Sequence, residues 1–211
     1  GFPKRSESEH DAFGAGHSST SVSAALGFAE AAKQQGLSSK AVALIGDGSL
    51  TGGLAFEGLN NAGAAKSDIL VILNDNNISI DRNIGAIHEY LLEITTDPRY
   101  NKAKKHVWDK LGEGRFRKWL QRFVVNTKSS LVRHSGGDLF EAMGFRYFGP
   151  IDGNDIEQVI KTLRKLKDLG GPILLHTLTT KGKGYAPAEA NQTVWHAPGI
   201  FDPETGERIK S

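Results

Sequence analysis

The stretch Ala41-Val42-Ala43-Leu44-Ile45-Gly46-Asp47-Gly48 decides the fold. Five apolar residues in a row before a glycine predict a short strand that is buried on both faces. A second run of this kind spans residues 69–73, and the small, apolar residues 50–65 between the two runs predict a helix. Strand, helix and strand at this spacing form a βαβ unit, which predicts a parallel sheet with a right-handed crossover.

The same alternation of helices and strands continues on both sides of this unit. A helix is predicted over 22–32, and strands are predicted over 145–148 and 173–178. The segment 155–169 between these two strands predicts an amphipathic helix. Its apolar stripe consists of Ile156, Val159, Ile160, Leu163 and Leu166. We therefore expect an α/β fold in which a parallel sheet is flanked by helices, as one domain over residues 1–211.

One segment interrupts this pattern. Residues 83–136 are rich in charge and show no strand pattern, and a helix is predicted around 105–125. We expect this segment to be a helical and partly mobile excursion from the α/β domain. The tail from Thr180 onward is rich in glycine and proline, which predicts a loop.

Composition excludes several classes of protein. Lys plus Arg number 26 and Asp plus Glu 24, a net charge of +2 that argues against a nucleic-acid binder. No apolar run approaches the ~20 residues of a membrane span, and residues 1–5 do not show the pattern expected of a signal segment. The absence of cysteine excludes disulfides and thiolate catalysis and fits a reducing compartment. Glycine makes up 25 of 211 residues, well above the usual share of about 7%.

Gly46-Asp47-Gly48 is the first candidate for chemistry. It follows a buried strand and opens a helix, so it lies at the carboxyl end of a parallel strand, where ligands bind. Glycines let the backbone approach a ligand, and a helix N-terminus favours an anion such as phosphate. A carboxylate in that place fits a phosphate if a cation such as Mg²⁺ lies between them. On these three residues alone, a turn with an aspartate helix cap remains open.

Two other phosphate motifs were compared with this segment. Gly46-x-Gly48-x-x-x-Gly52 resembles a dinucleotide fingerprint, which needs an acidic residue at the end of the next strand. Asp68 has the right spacing but precedes its strand, whereas that strand ends in Asn74-Asp75-Asn76-Asn77. Gly182-Lys183-Gly184 does not match the P-loop pattern. The asparagine cluster suits a metal better than a ribose, and it should lie beside Asp47 at neighbouring strand ends.

Gly46-Asp47-Gly48 followed by Asn76-Asn77 at this spacing resembles the signature of thiamine-diphosphate enzymes. Further motifs narrow the resemblance to the 1-deoxy-D-xylulose-5-phosphate synthase family. They are Pro3-Lys4-Arg5-Ser6-Glu7-Ser8-Glu9, Gly16-His17-Ser18-Ser19-Thr20-Ser21, Asn74-Asp75-Asn76 with Ile78-Ser79-Ile80, Gly149-Pro150-Ile151-Asp152-Gly153 and Thr180-Lys181-Gly182-Lys183-Gly184-Tyr185. The family commonly has Glu-Met where this chain has Asn77-Ile78.

The resemblance implies a thiamine-diphosphate-binding fold and a cofactor held by Mg²⁺. The implied reaction joins pyruvate to D-glyceraldehyde 3-phosphate with loss of CO₂, giving 1-deoxy-D-xylulose 5-phosphate. That is the first step of the non-mevalonate isoprenoid pathway, and it also feeds thiamine and pyridoxal synthesis. The implied protein is a homodimer of the bacterial cytoplasm. Two alternatives stay open: ketol transfer of the transketolase type, and a non-catalytic cofactor-binding fragment.

The resemblance also assigns roles to single residues. The implied metal ligands are Asp47, Asn76 and the backbone carbonyl of Ile78, so the change of side chain at position 78 need not disturb the metal. The implied cofactor contacts are Gly16, His17, Ser18, Gly48, Ser49, Asn76, Lys181 and Tyr185. The implied catalytic histidines are His17 and His196. A capping or packing role remains open for His17, and a solvated lysine remains open for Lys181.

The resemblance covers only part of the family's enzyme. The family places active-site histidines in a preceding segment, and it places the glutamate for the aminopyrimidine and the arginines for the substrate phosphate in a pyrimidine-binding domain. We therefore expect the chain to be a diphosphate-binding piece of a longer enzyme, inactive by itself.

Overall fold

The computed structural model describes residues 2–78, 84–96 and 137–209. Their four strands are β1 Ala41–Gly46, β2 Ile69–Asp75, β3 Arg146–Asp152 and β4 Ile173–Leu178. All neighbouring strands pair in parallel, in the order β1-β2-β4-β3. The prediction of a parallel α/β sheet is therefore confirmed, with β1 and β3 at the two edges of the sheet.

The helices that the structure describes lie on both faces of this sheet or beyond its end. In chain order they are α1 Ser21–Gln34, α2 Asp47–Leu50, α3 Gly53–Ala65, α4 Ala86–Thr96, α5 Asp138–Ala142, α6 Ile156–Leu166 and α7 Ala186–Ala190. A short 3-10 helix, Val194–His196, follows α7. The last two elements lie in the tail that the sequence predicts to be loop throughout. None of these helices is both long and apolar enough to cross a membrane.

Two apolar cores form on the two faces of the sheet. The larger core packs α1, α3, α4 and α5 against β1 and β2, with Leu59, Val71 and Phe140 completely buried. The smaller core joins α6 to β3 and β4 around Ile173 and Leu175. Burial of these side chains, at roughly 1.5–3 kcal/mol each, is the main stabilisation of the sheet.

Two burial predictions are wrong. On β1, Val42 and Leu44 are 54% and 64% exposed, because this edge strand has a helix layer on only one face among the described residues. On α6, Ile156 and Ile160 are exposed, while Leu166 is buried. Val159, Leu163 and Leu166 pack against the core, so only part of the predicted stripe enters it.

The helix predicted over 50–65 forms two pieces, because the backbone at Gly52 is extended (φ −74°, ψ 139°). A Cβ on Gly52 would overlap the side chain of Ser19, so glycine lets the loop before α1 approach this break. In the segment 83–136, α4 is described and packs Leu91 and Ile94 into the larger core. The helix predicted around 105–125 lies outside the described residues.

Gly63 provides a test of how closely α3 packs. A Cβ at Gly63 would overlap the backbone carbonyl of Met143, whereas a Cβ at Gly27 on α1 meets nothing within 4 Å. We expect Gly63→Ala to lower the free energy of unfolding by more than about 2 kcal/mol, in the range of an overpacked core. We expect Gly27→Ala to raise it by up to about 1 kcal/mol, because alanine favours helix. Denaturant unfolding measures both, and equal effects would contradict the packing at Gly63.

Candidate functional site at the strand ends

The carboxyl ends of β1 and β2 bring the predicted site residues together. In the register of these strands Gly46 pairs with Asn74, so Asp47 and Asp75 follow side by side. Asp47 is 3% exposed and Asp75 is 1% exposed. Two buried carboxylates at neighbouring strand ends form a site of concentrated negative charge, where a cation would be stabilised.

Burial shapes the electrostatics of this pair. Burial raises the pKa of Asp47 to about 6, and the charge of Asp75 and a hydrogen bond between the two carboxyl groups act in the same direction. Burial also acts to raise the pKa of Asp75, but its hydrogen bonds, first among them that with His176, together outweigh it, and the pKa of Asp75 is lowered. Asp75 is therefore the firmly ionised member of the pair, and the negative charge of Asp47 is costly unless a cation compensates it.

The loop after β2 is folded tightly by its own side chains. Asp75 Oδ1 accepts a hydrogen bond from the Asn77 backbone N–H at 3.2 Å, and Asn76 Oδ1 accepts one from the Ile78 N–H at 3.1 Å. Asn77 takes a left-handed conformation with φ 59°. Asn76 and Ile78, two of the predicted metal ligands, therefore lie on one short turn that begins at Asp75.

The loop before α1 reaches the same end of the sheet. Ser19 Oγ donates a hydrogen bond to the Ser49 carbonyl at 2.7 Å, which ties this loop to α2. Gly16, His17 and Ser18 directly precede this contact. His17 is exposed, and its carbonyl accepts a hydrogen bond from Thr20 Oγ1. The structure thus brings the 16–18 segment to the side of α2 that carries Gly48 and Ser49.

The tail supplies the third side of the site. Lys181 Nζ lies 2.7 Å from His196 Nδ1, so these two predicted residues form a pair. Partial burial lowers the pKa of Lys181, and the charge of Asp47 acts in the opposite direction. Lys181 therefore lies within electrostatic reach of the buried carboxylates, and a positive charge at this place favours an anionic ligand.

An aromatic cluster holds this part of the tail. The Trp195 ring lies edge-on to Tyr185 and to Phe201, with ring centroids 5.1 Å and 4.7 Å apart. The buried hydroxyl of Tyr185 has no hydrogen-bond partner among the described residues. Because buried polar groups are almost always hydrogen-bonded, a ligand atom is one candidate partner for this hydroxyl.

Three residues of the site were not predicted from the sequence as functional. Asp75 bonds His176, and His176 bonds the hydroxyl of Tyr147. Asp75 stood inside the asparagine cluster, but His176 and Tyr147 lie within strands and have no local motif. In the described ranges, no three His, Asp or Glu side chains group together closely enough to hold a metal ion by themselves. A cation here would therefore depend on amide and backbone oxygens as well as Asp47.

A comparison with protein families matches residues 1–179 to the 1-deoxy-D-xylulose-5-phosphate synthase family. The chain belongs to this family. The match includes Asp47 and Asn76 and stops before Lys181 and His196, and the roles of all four residues remain predictions. The predicted family resemblance is therefore confirmed.

Curated relatives support the same assignment. The chain is 54% identical over 215 residues to 1-deoxy-D-xylulose-5-phosphate synthase of Phocaeicola vulgatus, covering 99% of this chain and 34% of that protein. It is 51% identical over 212 residues to the same enzyme of Cytophaga hutchinsonii, covering 98% of the chain and 33% of that protein. The chain thus spans about a third of the length of the curated relatives it matches.

A solved structure supports the fold. Transketolase from Campylobacter jejuni superposes with a TM-score of 0.56 over 86% of this chain and 23% of that chain, at 23% sequence identity. The predicted transketolase-like fold is therefore confirmed.

Proposed function

We propose that the protein takes part in the condensation of pyruvate with D-glyceraldehyde 3-phosphate to 1-deoxy-D-xylulose 5-phosphate and CO₂. In this proposal these 211 residues hold the diphosphate of thiamine diphosphate through Mg²⁺. The observation that carries it is the buried Asp47 at the end of β1, beside the loop that carries Asn76 at the end of β2. The relatives that bear the enzyme's name support the choice of reaction.

The residues present fit both the metal and the cofactor. A carboxylate, an amide oxygen and a backbone carbonyl are oxygen donors of the kind that Mg²⁺ prefers. Asp47, Asn76 and Ile78 would supply these three donors, and a cation would offset the burial that raises the pKa of Asp47. The unpaired hydroxyl of Tyr185 and the Lys181–His196 pair offer polar contacts to the cofactor.

Each part of the site has a task in this proposal. When bound, thiamine diphosphate supplies the electron sink for the loss of CO₂ from pyruvate and for the new carbon–carbon bond. Gly48 and Ser49 let backbone donors approach the diphosphate, as do Gly16 and Ser18 on the neighbouring loop. His17 and His196 are proposed to face the substrates and to move protons there.

Two alternatives are separable by experiment. Ketol transfer of the transketolase type would use a ketose phosphate donor, and a non-catalytic cofactor-binding role would give no turnover. The complete product of the gene should be assayed with labelled pyruvate with and without glyceraldehyde 3-phosphate, and with a ketose phosphate donor. We expect CO₂ release that depends on the aldehyde and Mg²⁺. Turnover with the ketose donor alone would contradict the proposal, as would binding without turnover.

The proposal extends to partners and place. A pyrimidine-binding domain would complete the site around the other end of the cofactor, and a homodimer is proposed from the family resemblance. The bacterial cytoplasm is the proposed location, because the curated relatives are bacterial enzymes. Light scattering of the purified gene product tests the dimer, and a monomeric mass with full activity would contradict it.

Lys181 offers a test of the cofactor contacts. We expect Lys181→Met to weaken thiamine diphosphate binding about tenfold or more, because a hydrogen bond to a charged group is worth roughly 1.5–3 kcal/mol. Lys183→Met is the matched control, since Lys183 Nζ lies 3.7 Å from Glu189 and that lysine is 56% exposed. Calorimetric titration measures both variants. Equal affinities for the two variants would show that Lys181 does not contact the cofactor.

A further inference from the structure

A buried polar chain crosses the sheet beneath the site. Asp75 Oδ2 lies 2.9 Å from His176 Nε2, and His176 Nδ1 lies 2.6 Å from the Tyr147 hydroxyl. Asp75 is 1% exposed and His176 is completely buried. The three residues stand on β2, β4 and β3, so the chain links three adjacent strands.

One arrangement of protons allows both hydrogen bonds of this polar chain to form. A neutral imidazole with its proton on Nε2 donates to Asp75 and accepts at Nδ1 from the hydroxyl of Tyr147. The Tyr147 ring is itself fixed, because it stacks on the buried Phe140 with ring centroids 5.9 Å apart. A fixed tyrosine thus orients the histidine, and the histidine orients the carboxylate of Asp75.

A chain of buried polar side chains lowers the stability of an otherwise apolar core. Burying a carboxylate and an imidazole costs free energy that apolar side chains of similar size would not incur. Nearby positions of β2 and β4 are occupied by buried apolar side chains, namely Leu73, Leu174 and Leu175. The position of the chain points to a role at its one polar end, which is Asp75.

Asp75 acts on both sides of the proposed cation site. One side of its carboxylate is hydrogen-bonded to the carboxyl group of Asp47. Its Oδ1 accepts the Asn77 N–H and so begins the turn that carries Asn76 and Ile78. A rotation of this carboxylate would displace all three proposed ligands together.

We propose that Asp75 is a positioning residue for the cation, held in place by His176 and Tyr147. This inference rests on the proposed function, because it takes Asp47, Asn76 and Ile78 as the cation's ligands. Hydrogen-bonded residues behind metal ligands fix the orientation of those ligands, and their loss typically weakens metal binding 10–100-fold.

The test measures Mn²⁺ affinity by electron paramagnetic resonance in the complete gene product with thiamine diphosphate. We expect His176→Ala to weaken Mn²⁺ binding at least about tenfold. We expect His176→Gln, whose amide can still donate to Asp75, to recover most of that loss. Tyr147→Phe keeps the ring stacked on Phe140 and removes only the hydroxyl, so we expect a smaller loss of affinity in a normally folded protein.

Thr162→Val is the control for a buried hydrogen bond far from the site. Thr162 is 2% exposed, and its Oγ1 donates to the Gln158 carbonyl at 2.8 Å. We expect this variant to lower the unfolding temperature without changing Mn²⁺ affinity. Unchanged Mn²⁺ affinity in both His176→Ala and Tyr147→Phe would show that the chain is only structural and would overturn the inference.

This readout separates the inference from the proposed reaction. A wild-type protein that binds Mn²⁺ with thiamine diphosphate but does not consume pyruvate would contradict the reaction. The order of Mn²⁺ affinities among the variants would still decide the role of Asp75.

Discussion

Asp47→Ala is expected to abolish Mg²⁺-dependent binding of thiamine diphosphate, with an affinity loss of more than about a hundredfold. Even residues behind a metal ligand are worth 10–100-fold in affinity, and Asp47 is the one carboxylate among the three proposed ligands. Calorimetric titration of the complete gene product with thiamine diphosphate and Mg²⁺ measures the loss. Unchanged affinity in a folded variant would contradict the metal assignment.

The same variant should remain folded. Burial and the charge of Asp75 raise the pKa of Asp47, so its ionisation at neutral pH costs folding free energy in the cofactor-free protein, a cost that alanine does not carry. Removing it should not lower the unfolding temperature measured without Mg²⁺. Asp68→Ala is the matched control, because Asp68 is an exposed carboxylate that pairs with Lys40 at 3.1 Å. We expect this control to bind the cofactor like the wild type.

A polypeptide limited to these 211 residues is expected to release CO₂ from pyruvate at least about ten-thousandfold more slowly than a complete family enzyme. Positioning of reacting groups is worth roughly 7–11 kcal/mol of barrier, and each 1.36 kcal/mol is a factor of ten in rate. The roles proposed for the described residues concern only the diphosphate and the metal. The family resemblance places the glutamate for the aminopyrimidine and the arginines for the substrate phosphate in another domain.

Labelled pyruvate with glyceraldehyde 3-phosphate measures this rate, using chain purified free of host enzyme. The matched control is the same chain mixed with the pyrimidine-binding domain of a relative, which should raise the rate if the two parts associate. Turnover by the 211 residues alone near that of a complete family enzyme would show that the whole active site lies within them.

Local patterns predicted the centre of the fold well. The apolar runs that form β1, β2 and β4 are short and are followed by glycine, asparagine or threonine. The length and the ends of these strands could therefore be predicted from the sequence. Burial on β1 could not be predicted, because it depends on β1 lying at the edge of the sheet. The order of strands is set by contacts between distant segments, which a local pattern does not contain.

The site also combines residues that local patterns predict with residues that only long-range contacts reveal. Asp47 and Asn76 each follow a strand, and parallel pairing of the strands brings them together, so their proximity followed from the sequence. The bond from His176 to Asp75 joins residues 101 positions apart. His176 lies in the apolar run of β4, where nothing local distinguishes it from a packed core residue. Only the register of β2 with β4 reveals its partner.

The most direct test of the central claim is a crystal structure of the complete gene product with thiamine diphosphate and Mn²⁺ in place of Mg²⁺. Anomalous scattering locates the Mn²⁺ without reference to the surrounding atoms. The account predicts one Mn²⁺ bound by Asp47, Asn76 Oδ1 and the Ile78 carbonyl, at distances close to the roughly 2.0–2.1 Å of Mg²⁺ sites, with the diphosphate on its open side. A Mn²⁺ or a diphosphate bound away from the ends of β1 and β2 would contradict it.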